Sequence, residues 1–196
     1  MSEAPGPDPL AILTEWHDRA RAAGAAEPDA MTLATATREG RPSARVVLYK
    51  GQNEGRVRFV SNYDSRKGRE IEDNPNVALV FFWVEIMRQI RIEGVAERAA
   101  DLESDAYFRS RARESQLGAW ASPQSEEIGS RATLEARFRE AEARFAGREV
   151  KRPPHWGLYE VTAHTAELWI SGAHRLHDRF VYRRSDAGWS IARLSP

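Results

Sequence analysis

From Met31 onward, apolar and polar residues alternate with a period of two in a series of short runs, and this pattern constrains the fold most. Successive side chains on a β-strand point to opposite faces, so each run predicts a strand with one buried face. Most connections are short and rich in Gly, Asn, Asp and Pro, which favours antiparallel pairing, with a possible helical crossover at residues 65–72. The predicted strands cover residues 31–37, 43–49, 57–61, 76–83, 88–97, 156–162, 166–170, 179–184 and 189–194.

Three helices are predicted around these strands. The first begins after an Asp8 cap with Pro9 at its first position, ends near Gly24, and carries its apolar face on Leu10, Leu13, Trp16 and Ala20. The second covers about residues 102–111, and the third covers 130–146 with Leu134, Phe138, Ala141 and Phe145 facing the core. Many short strands with few helices predict a mainly β fold: a barrel or strongly curled sheet with peripheral helices, formed by one domain over residues 9–196 behind a flexible tail at 1–8.

Composition excludes several classes of function. Lys and Arg together number 29, as do Asp and Glu, so no global field attracts nucleic acid or an anionic membrane. The absence of Cys excludes disulfides, thiolate metal sites and Cys nucleophiles. The N-terminal residues have no signal-peptide pattern and no stretch has the length of a membrane span, so we expect a soluble cytoplasmic protein.

The segment HRLHDR near the C-terminus raises an electrostatic problem. Arg175, His177 and Arg179 lie two residues apart, so an extended segment would place all three side chains on one face. Like charges that are neighbours on a sheet surface repel each other. This arrangement therefore predicts an anionic or electron-rich group opposite the segment.

A second cluster of cations lies in DSRKG, where Asp64 or Ser65 can cap a short helix that ends near Asn74-Pro75. Arg66 and Lys67 would then occupy the first turn, where cations oppose the helix dipole. The same place suits a phosphate, because backbone N–H groups and two cations converge there. A solvated surface pair is an equally good interpretation of this motif alone.

Two other segments carry weaker or less certain signals. In ARVVLYK, Arg45 and Lys50 are five residues apart and would reach one ligand only if the strand twists, bulges or ends near Lys50; otherwise they are charges at the ends of a strand. Tyr107, Arg111 and Ser115 are spaced by four, so on a continuous helix they share one face and would form a phosphate clamp.

The other polar candidates are weak when taken singly. Gln89, Gln124 and Ser125 could bind a polar heterocycle, although lone amides are usually surface residues, and Trp169 is more often a core residue. His174 and His177 beside Asp178 do not complete a metal site, and no nucleophile-elbow pattern supports a Ser-His-Asp triad. The residues alone therefore predict a β-rich domain that binds two anionic ligands, or one ligand with two anionic groups.

The same segments resemble the pyridoxine/pyridoxamine 5′-phosphate oxidase family, which are FMN-dependent flavoproteins. The matching motifs occur in order, span nearly everything from Met31 to Pro196, and are RVVLYK, SNYDSRK, RQIRIEG, YFRSRARESQLGAWASPQS and RLHDRF with the terminal RLSP. The resemblance implies an FMN-binding split β-barrel, an antiparallel Greek-key-like barrel with flanking helices.

The resemblance also implies roles for individual residues. Those that would hold FMN are Arg45, Val46, Val47, Leu48, Tyr49, Lys50, Val60, Ser61, Arg66, Lys67, Gln89, Gln124, Ser125, Trp169 and Arg179. Those that would hold the 5′-phosphate of a vitamin B6 substrate are Lys50, Tyr107, Arg111 and Ser115. Arg175 and His177 would be the catalytic residues, placed over the pyridine ring and stabilising its O3′.

The implied reaction is oxidation of pyridoxamine or pyridoxine 5′-phosphate at C4′ to pyridoxal 5′-phosphate, with O₂ as acceptor and release of H₂O₂. The implied assembly is a homodimer with FMN at the interface. Leu168 and Ile170 depart from the family pattern beside Trp169, and a basic-Tyr arm that closes over the substrate is not present ahead of the first helix. These departures motivate two alternatives: a related FMN oxidase acting on a phenazine precursor, and a non-catalytic protein that binds flavin or pyridoxal phosphate.

Overall fold

The computed structural model of the protein describes residues 5–196. Its strands are β1 (Ala30–Ala36), β2 (Pro42–Asn53), β3 (Arg56–Asn62), β4 (Asn76–Trp83), β5 (Arg88–Arg98), β6 (Trp156–Ile170), β7 (Asp178–Ser185) and β8 (Gly188–Leu194). Its helices are α1 (Pro9–Ala22), α2 (Arg66–Asp73), α3 (Asp101–Ser110), α4 (Arg113–Ala121) and α5 (Arg131–Arg144). None of these helices combines the length and apolar content needed to cross a membrane.

The strands form one antiparallel sheet in the order β3-β2-β1-β4-β5-β6-β7-β8. A further antiparallel pairing between β3 and β6 closes the first six strands into a barrel, and β7 and β8 continue outward from β6. The predicted mainly β barrel with flanking helices is confirmed. Strand β6 therefore belongs to the closed barrel and also pairs with β7, the first strand of the β7–β8 extension.

Strand β6 corrects the sequence prediction, which divided it into residues 156–162 and 166–170. The strand is continuous because its first part pairs with β3, its last part pairs with β7, and β5 follows it along most of its length. The register of β5 and β6 shifts between Glu93 and Gly94, opposite the exposed His164, and this bulge keeps the two strands paired on either side of it. A Cβ on Gly94 would lie 2.2 Å from the Thr162 carbonyl oxygen, so the close approach of the two backbones requires glycine.

The first helix covers one part of the barrel core, as its pattern predicted. Asp8 caps α1 through a 2.9 Å hydrogen bond from the Leu10 amide, and Leu13 and Trp16 are at most 2 % exposed. The predicted tail at residues 1–8 lies partly outside the described residues. Within the described part, the Gly6 carbonyl accepts a 2.8 Å hydrogen bond from the Tyr182 hydroxyl.

A second, smaller core holds the remaining helices against the barrel. It contains Phe108 of α3, Leu117 of α4, Ala141 of α5 and Trp156 of β6, together with Phe145 and Val150. The predicted helices at 102–111 and 130–146 are confirmed within two residues at each end, whereas α4 was not predicted. Trp156 belongs to both the barrel wall and this core, so it fixes the position of α3 and α4 relative to the sheet.

Candidate active site

The first turn of α2 carries two cations close to the end of β3. Ser65 caps the helix, its Oγ accepting from the Gly68 amide at 3.3 Å, so Arg66 and Lys67 occupy the first turn as predicted. A Cβ on Gly68 would lie only 1.9 Å from the Tyr63 carbonyl oxygen. Glycine therefore allows the helix to begin directly against the chain that leaves β3.

Lys67 is a buried cation without a carboxylate partner among residues 5–196. Its side chain donates to the Gln124 Oε1 at 2.8 Å and to the Ser65 Oγ at 3.2 Å, and the residue is 9 % exposed. Burial, reinforced by the charge of Arg45, lowers the pKa of Lys67 to about 8. A bound anion would stabilise the charged form of this amine, so the position fits a phosphate group.

Arg45 and Arg66 share a single carboxylate. The Glu70 Oε1 lies 2.9 Å from the Arg66 Nε, and its Oε2 lies 3.4 Å from an Arg45 Nη. Burial raises the pKa of Glu70, but hydrogen bonds from Ser43, Thr35 and Arg66 outweigh it and hold the pKa at about 2. Three cations against one ionised carboxylate leave two positive charges, which match a phosphate dianion. We call Arg45, Arg66 and Lys67 the α2 cation cluster.

A row of three predicted site residues crosses neighbouring strands. Gln89 of β5 is the direct register partner of Trp169 of β6, and Trp169 is the direct partner of Arg179 of β7. Direct partners project from the same face of a sheet with their Cβ atoms about 5 Å apart. The rings of Phe82 and Trp169 approach to 6.4 Å at the β4 end of this row. The sheet therefore brings together three residues that lie up to 90 positions apart in sequence.

The two departures from the family pattern face the other way. Leu168 is 0 % exposed, and Ile170 is partly buried against the same barrel core. Because successive side chains on β6 alternate between faces, neither residue shares the face that carries Trp169. A ligand on the Trp169 face would therefore not contact either of these side chains directly.

The HRLHDR segment is not an extended strand, which corrects the prediction of three side chains on one face. Residues Ala173–Arg175 form a 3₁₀ turn, in which His174 and Arg175 have left-handed φ values of 56° and 63°, and β7 begins only at Asp178. The turn separates the cations and leaves Arg175 exposed. The sequence pattern missed it because neither left-handed position is Gly or Asn, the residues that usually mark one.

His177 is oriented by two contacts from the chain just before it. Its ring lies 4.6 Å from the Trp169 ring, and its Nδ1 accepts a 3.2 Å hydrogen bond from the Gly172 amide. An accepting Nδ1 places the proton of the neutral imidazole on Nε2. The Nε2–H is therefore available to donate to a ligand beside Trp169.

Arg179 has an acidic partner inside the chain. Its Nε donates to the Glu167 Oε1 at 2.7 Å, and an Arg91 Nη lies 3.0 Å from the other Glu167 oxygen. Glu167 is 3 % exposed, so this carboxylate fixes two guanidinium groups at the sheet surface. Part of the anionic neighbour that HRLHDR predicted is thus supplied by β6 itself.

The predicted clamp of Tyr107, Arg111 and Ser115 does not lie on one helix. Helix α3 ends at Ser110, Arg111 has an extended conformation with φ −76° and ψ 150°, and α4 begins at Arg113. Tyr107 therefore belongs to the last turn of α3 and Ser115 to the first turn of α4. The spacing of four residues was a misleading signal because the helix breaks at the second member, Arg111.

Arg111 nevertheless has the features of an anion-binding residue. Its guanidinium stacks over the Trp156 ring at 4.4 Å, and its buried Nη1 has no hydrogen-bond partner in residues 5–196. Burial lowers the pKa of Arg111. The N-cap of α4, Ala112, offers no side-chain acceptor to the first amides of that helix. A phosphate at this corner would satisfy both kinds of donor.

Lys50 and Tyr107 line one cavity of about 560 Å³ beneath α1. Strand β2 shifts register between Tyr49 and Gln52, where Gly51 has φ +80°, so the bulge considered for this strand is present. Lys50 contacts Asp29 in this cavity, whereas Arg45 belongs to the α2 cation cluster. Although the bulge is present, the contacts of Arg45 and Lys50 thus place their side chains at separate positions.

The remaining predicted FMN residues differ in exposure. Val46 and Leu48 are 65 % and 42 % exposed, Val47 and Val60 are half-buried, and Tyr49 and Ser61 are buried. Ser125 is exposed with a left-handed φ of 72°, next to the Gln124 that contacts Lys67. The outward apolar side chains of β2 therefore lie on the surface of this chain rather than in its core.

Sequence reasoning missed the acidic residues that organise these clusters. Glu70 follows Arg66 by four residues on a helix, a spacing that would have identified the pair. Asp29 and Glu167 carry no comparable local signal, because their partners come from distant strands and helices.

Two family models together match most of the chain. Residues 18–145 match a model described as pyridoxamine 5′-phosphate oxidase, and residues 156–196 match one described as the pyridoxine 5′-phosphate oxidase C-terminal dimerisation region. A pyridoxine/pyridoxamine 5′-phosphate oxidase of Rubrobacter xylanophilus is 54 % identical over 190 residues, which cover 97 % of this chain and 88 % of the relative. One from Sphingopyxis alaskensis is 50 % identical over 189 residues, covering 96 % and 88 %.

Solved structures give the same fold. PhzG from Burkholderia lata, in complex with tetrahydrophenazine-1-carboxylic acid, superposes with a TM-score of 0.92 at 33 % identity over 98 % of this chain and 94 % of that one. A pyridoxamine 5′-phosphate oxidase-related, FMN-binding protein of Nostoc punctiforme superposes with a TM-score of 0.74 at 19 % identity over the full length of both chains. The second likeness concerns the fold alone.

Proposed function

The chain belongs to the pyridoxamine 5′-phosphate oxidase family, and we propose that it oxidises pyridoxamine 5′-phosphate, pyridoxine 5′-phosphate or both to pyridoxal 5′-phosphate. In this proposal FMN is the bound cofactor, O₂ is the electron acceptor and H₂O₂ is released. With the amine substrate, a water molecule supplies the aldehyde oxygen and the nitrogen leaves as ammonia. The two family models and the curated relatives at 50–54 % identity support this assignment over nearly the whole chain.

One observation carries the proposal further: two separate places among residues 5–196 hold cations whose set of partners is incomplete. The α2 cation cluster contains Lys67, which donates only to neutral acceptors, and the α3–α4 corner contains the orphaned Arg111 Nη1. A flavin mononucleotide and a phosphorylated substrate each bring one phosphate. Two phosphate sites on separate elements match this pair of ligands, and a flavin oxidase whose substrate lacks phosphate would need only one.

The α2 cation cluster would hold the FMN phosphate, and the row of Gln89, Trp169 and Arg179 would contact the flavin. When bound, FMN supplies the two-electron acceptor for oxidation at C4′ and delivers the electrons to O₂. Glu167 keeps the Arg179 guanidinium in a fixed orientation before any ligand binds. Preorganised charges of this kind cost no rearrangement during the reaction.

The chain's contribution to the substrate is binding and orientation. Lys50, Tyr107, Arg111 and Ser115 would hold the 5′-phosphate, while Arg175 and His177 would face the pyridine ring. The Nε2–H of His177 would donate to the phenolate-type O3′, since its Nδ1 is already occupied by the Gly172 amide. Stabilising O3′ favours the electron-rich form of the ring from which C4′ is oxidised, and holding C4′ in place lowers the entropic cost of reaction.

We also propose that the active form is a homodimer with FMN at its interface. The match of residues 156–196 to a dimerisation region supports the dimer, as do the exposed apolar side chains of Val46, Leu48 and Phe82. These residues lie on the strand faces that carry, or adjoin, the proposed flavin contacts. A partner covering them would bury the flavin as well.

A second candidate is oxidation of a phenazine precursor, favoured by the 0.92 TM-score with the PhzG structure. The orphaned Arg111 and the lower identity of 33 % favour the B6 phosphate. The third reading, a binding protein without turnover, keeps the same contacts and is separated from the other two only by assay.

One assay separates these candidates. The protein is purified, loaded with FMN and mixed in air with pyridoxamine or pyridoxine 5′-phosphate, while pyridoxal 5′-phosphate and peroxide are followed. Turnover with production of both is the expected result. Bound FMN without turnover of either B6 phosphate would reject the proposal. Oxidation of tetrahydrophenazine-1-carboxylic acid in the same preparation would then support the second candidate.

A further inference from the structure

Asp29 is held rigidly at the wall of the cavity that contains Lys50. Its carbonyl oxygen accepts a 2.8 Å hydrogen bond from the Tyr49 amide, which fixes the backbone directly beside Lys50. Its Oδ1 accepts a 2.8 Å hydrogen bond from the His17 Nε2 of α1. His17 is itself 7 % exposed and packs edge-on against the Tyr49 ring at 5.2 Å. The carboxylate thus has little freedom to move.

Lys50 is the mobile partner in this arrangement. Its Nζ lies 3.6 Å from the Asp29 Oδ2, on a four-carbon side chain that is 19 % exposed. Arg21 approaches the other carboxylate oxygen at 3.6 Å but is 64 % exposed. Tyr107 lines the same cavity. The Lys50 ammonium can therefore pair either with the fixed Asp29 carboxylate or with an anion bound on the Tyr107 side of the cavity.

We propose that Asp29 competes with the substrate phosphate for Lys50, and so lowers the affinity of the site for phosphorylated ligands and speeds release of the phosphorylated product. The proposal deepens the function given above and rests on it, because it takes Lys50 as a phosphate contact. Binding of the phosphate draws the ammonium away from Asp29 and leaves an ionised carboxylate near a dianion. Both changes cost binding free energy that a site without Asp29 would retain.

His17 sets how strongly Asp29 competes. Its hydrogen bond occupies Oδ1 and draws part of the carboxylate's charge away from Lys50. Loss of that donor leaves Lys50 as the main partner of the carboxylate. Changes at Asp29 and at His17 should therefore shift ligand affinity in opposite directions, a result that simple damage to the cavity would not produce.

The test uses the FMN-loaded protein with pyridoxal 5′-phosphate as the probe, measuring its dissociation constant and dissociation rate. Asp29→Asn removes the charge and keeps the size, and we expect about three- to tenfold tighter binding with slower release, the range for a partly screened ion pair. His17→Phe fills the same aromatic niche without a donor, and we expect binding to weaken. Glu15→Gln is the matched control, because Glu15 also lies on α1, is 57 % exposed and pairs with Arg19 rather than with His17 or Asp29.

A double-mutant cycle separates competition from structural support. In a Lys50→Met background, Asp29→Asn should no longer tighten binding, because the group for which it competes is gone. Asp29→Ser repeats the test if Asp29→Asn does not fold, with thermal stability and FMN retention measured for every variant.

The outcomes also distinguish this inference from the proposed function. Unchanged or weaker binding by Asp29→Asn, or tightening that persists without Lys50, would overturn the competition while leaving the oxidase assignment intact. Wild-type protein that neither binds pyridoxal 5′-phosphate nor oxidises its precursors would overturn both.

Discussion

The imidazole of His177 lies 4.6 Å from the indole of Trp169, although a turn of seven residues separates them in sequence. Two features produce this contact: Trp169 lies one residue before the end of β6, as the central member of a cross-strand row, and the Gly172 amide donates to the His177 Nδ1. The proposed substrate contact is thereby attached to the proposed flavin contact. In the proposed function, the geometry of this turn would therefore set the distance between the substrate ring and the flavin.

The orientation of His177 can be tested against its neighbour in the same turn. We expect His177→Asn to reduce turnover by about tenfold or more with FMN binding preserved, because the Nε2 donor toward O3′ is lost. His174→Asn is the control, since His174 is exposed and Asn tolerates its left-handed backbone. Steady-state kinetics with flavin absorbance would check both; normal turnover by the His177 variant would remove the assigned role.

The turn itself depends on a close approach at Gly172. A Cβ at this position would lie 2.0 Å from the Leu176 carbonyl oxygen, so Gly172→Ala must displace the backbone that carries His177. We expect a large loss of turnover with little loss of FMN. Gly129→Ala has no atom within 4 Å of the new Cβ and should behave as wild type. Equal activity of the two variants would show that the turn adapts without cost.

The roles of the two cation sites separate by their measured effects. Arg66→Ala should loosen FMN, since it removes one of three cations from the α2 cluster, whereas Arg175→Ala should impair turnover far more than FMN retention. Flavin dissociation constants and kcat for both variants are the measurements. If one of the two variants were the more impaired in both FMN affinity and kcat, the division between a cofactor site and a substrate site would be contradicted.

Arg111 tests whether the α3–α4 corner binds the substrate phosphate. Arg111→Met keeps the stacking volume over Trp156 but removes the orphaned donor, so we expect KM for the phosphorylated substrate to rise about tenfold or more while FMN binding is unchanged. Arg109→Met, on an exposed position of the same helix end, serves as the control. An unchanged KM for the Arg111 variant would move the phosphate site elsewhere.

The strands and four of the five helices, including α2 with its cap, could be predicted from local patterns, because alternation, capping residues and short connections act over a few positions. The continuity of β6 could not, since it depends on three different partner strands. The turn at His174 and Arg175 was missed because a left-handed pair without Gly has no sequence signal. Likewise, the helix break at Arg111 is set by packing on Trp156 rather than by a local breaker.

The same limit applied within the site. Arg66, Lys67 and the α2 cap were predicted from adjacent residues, whereas Glu167 and Asp29 became visible only when strands and helices far apart in the chain met. Family resemblance supplied the row of Gln89, Trp169 and Arg179, and the strand register accounts for it physically. Ion pairs between residues on different strands and helices are therefore the part of the site that local patterns in one sequence could not predict.

The protonation of Lys67 links FMN binding to the stability of the fold, and this link can be measured as a pH dependence of the free energy of unfolding. Its pKa in the folded chain is about 8, below its usual 10.5, so the folded state binds fewer protons than the unfolded state between these values. The free energy of unfolding of the FMN-free protein should therefore rise by about 2–3 kcal/mol as pH increases from 8 to 10.5 and stay low below 8.

Lys67→Met should remove this rise, stabilise the FMN-free protein at pH 7 and weaken FMN binding, because a buried cation is replaced by an apolar side chain. Bound FMN should also flatten the profile of the wild type, since its phosphate restores the charged amine. Thermal and denaturant unfolding across this pH range, with and without FMN, would measure all three effects. A wild-type profile that is equally steep in both states would show that the phosphate does not reach Lys67.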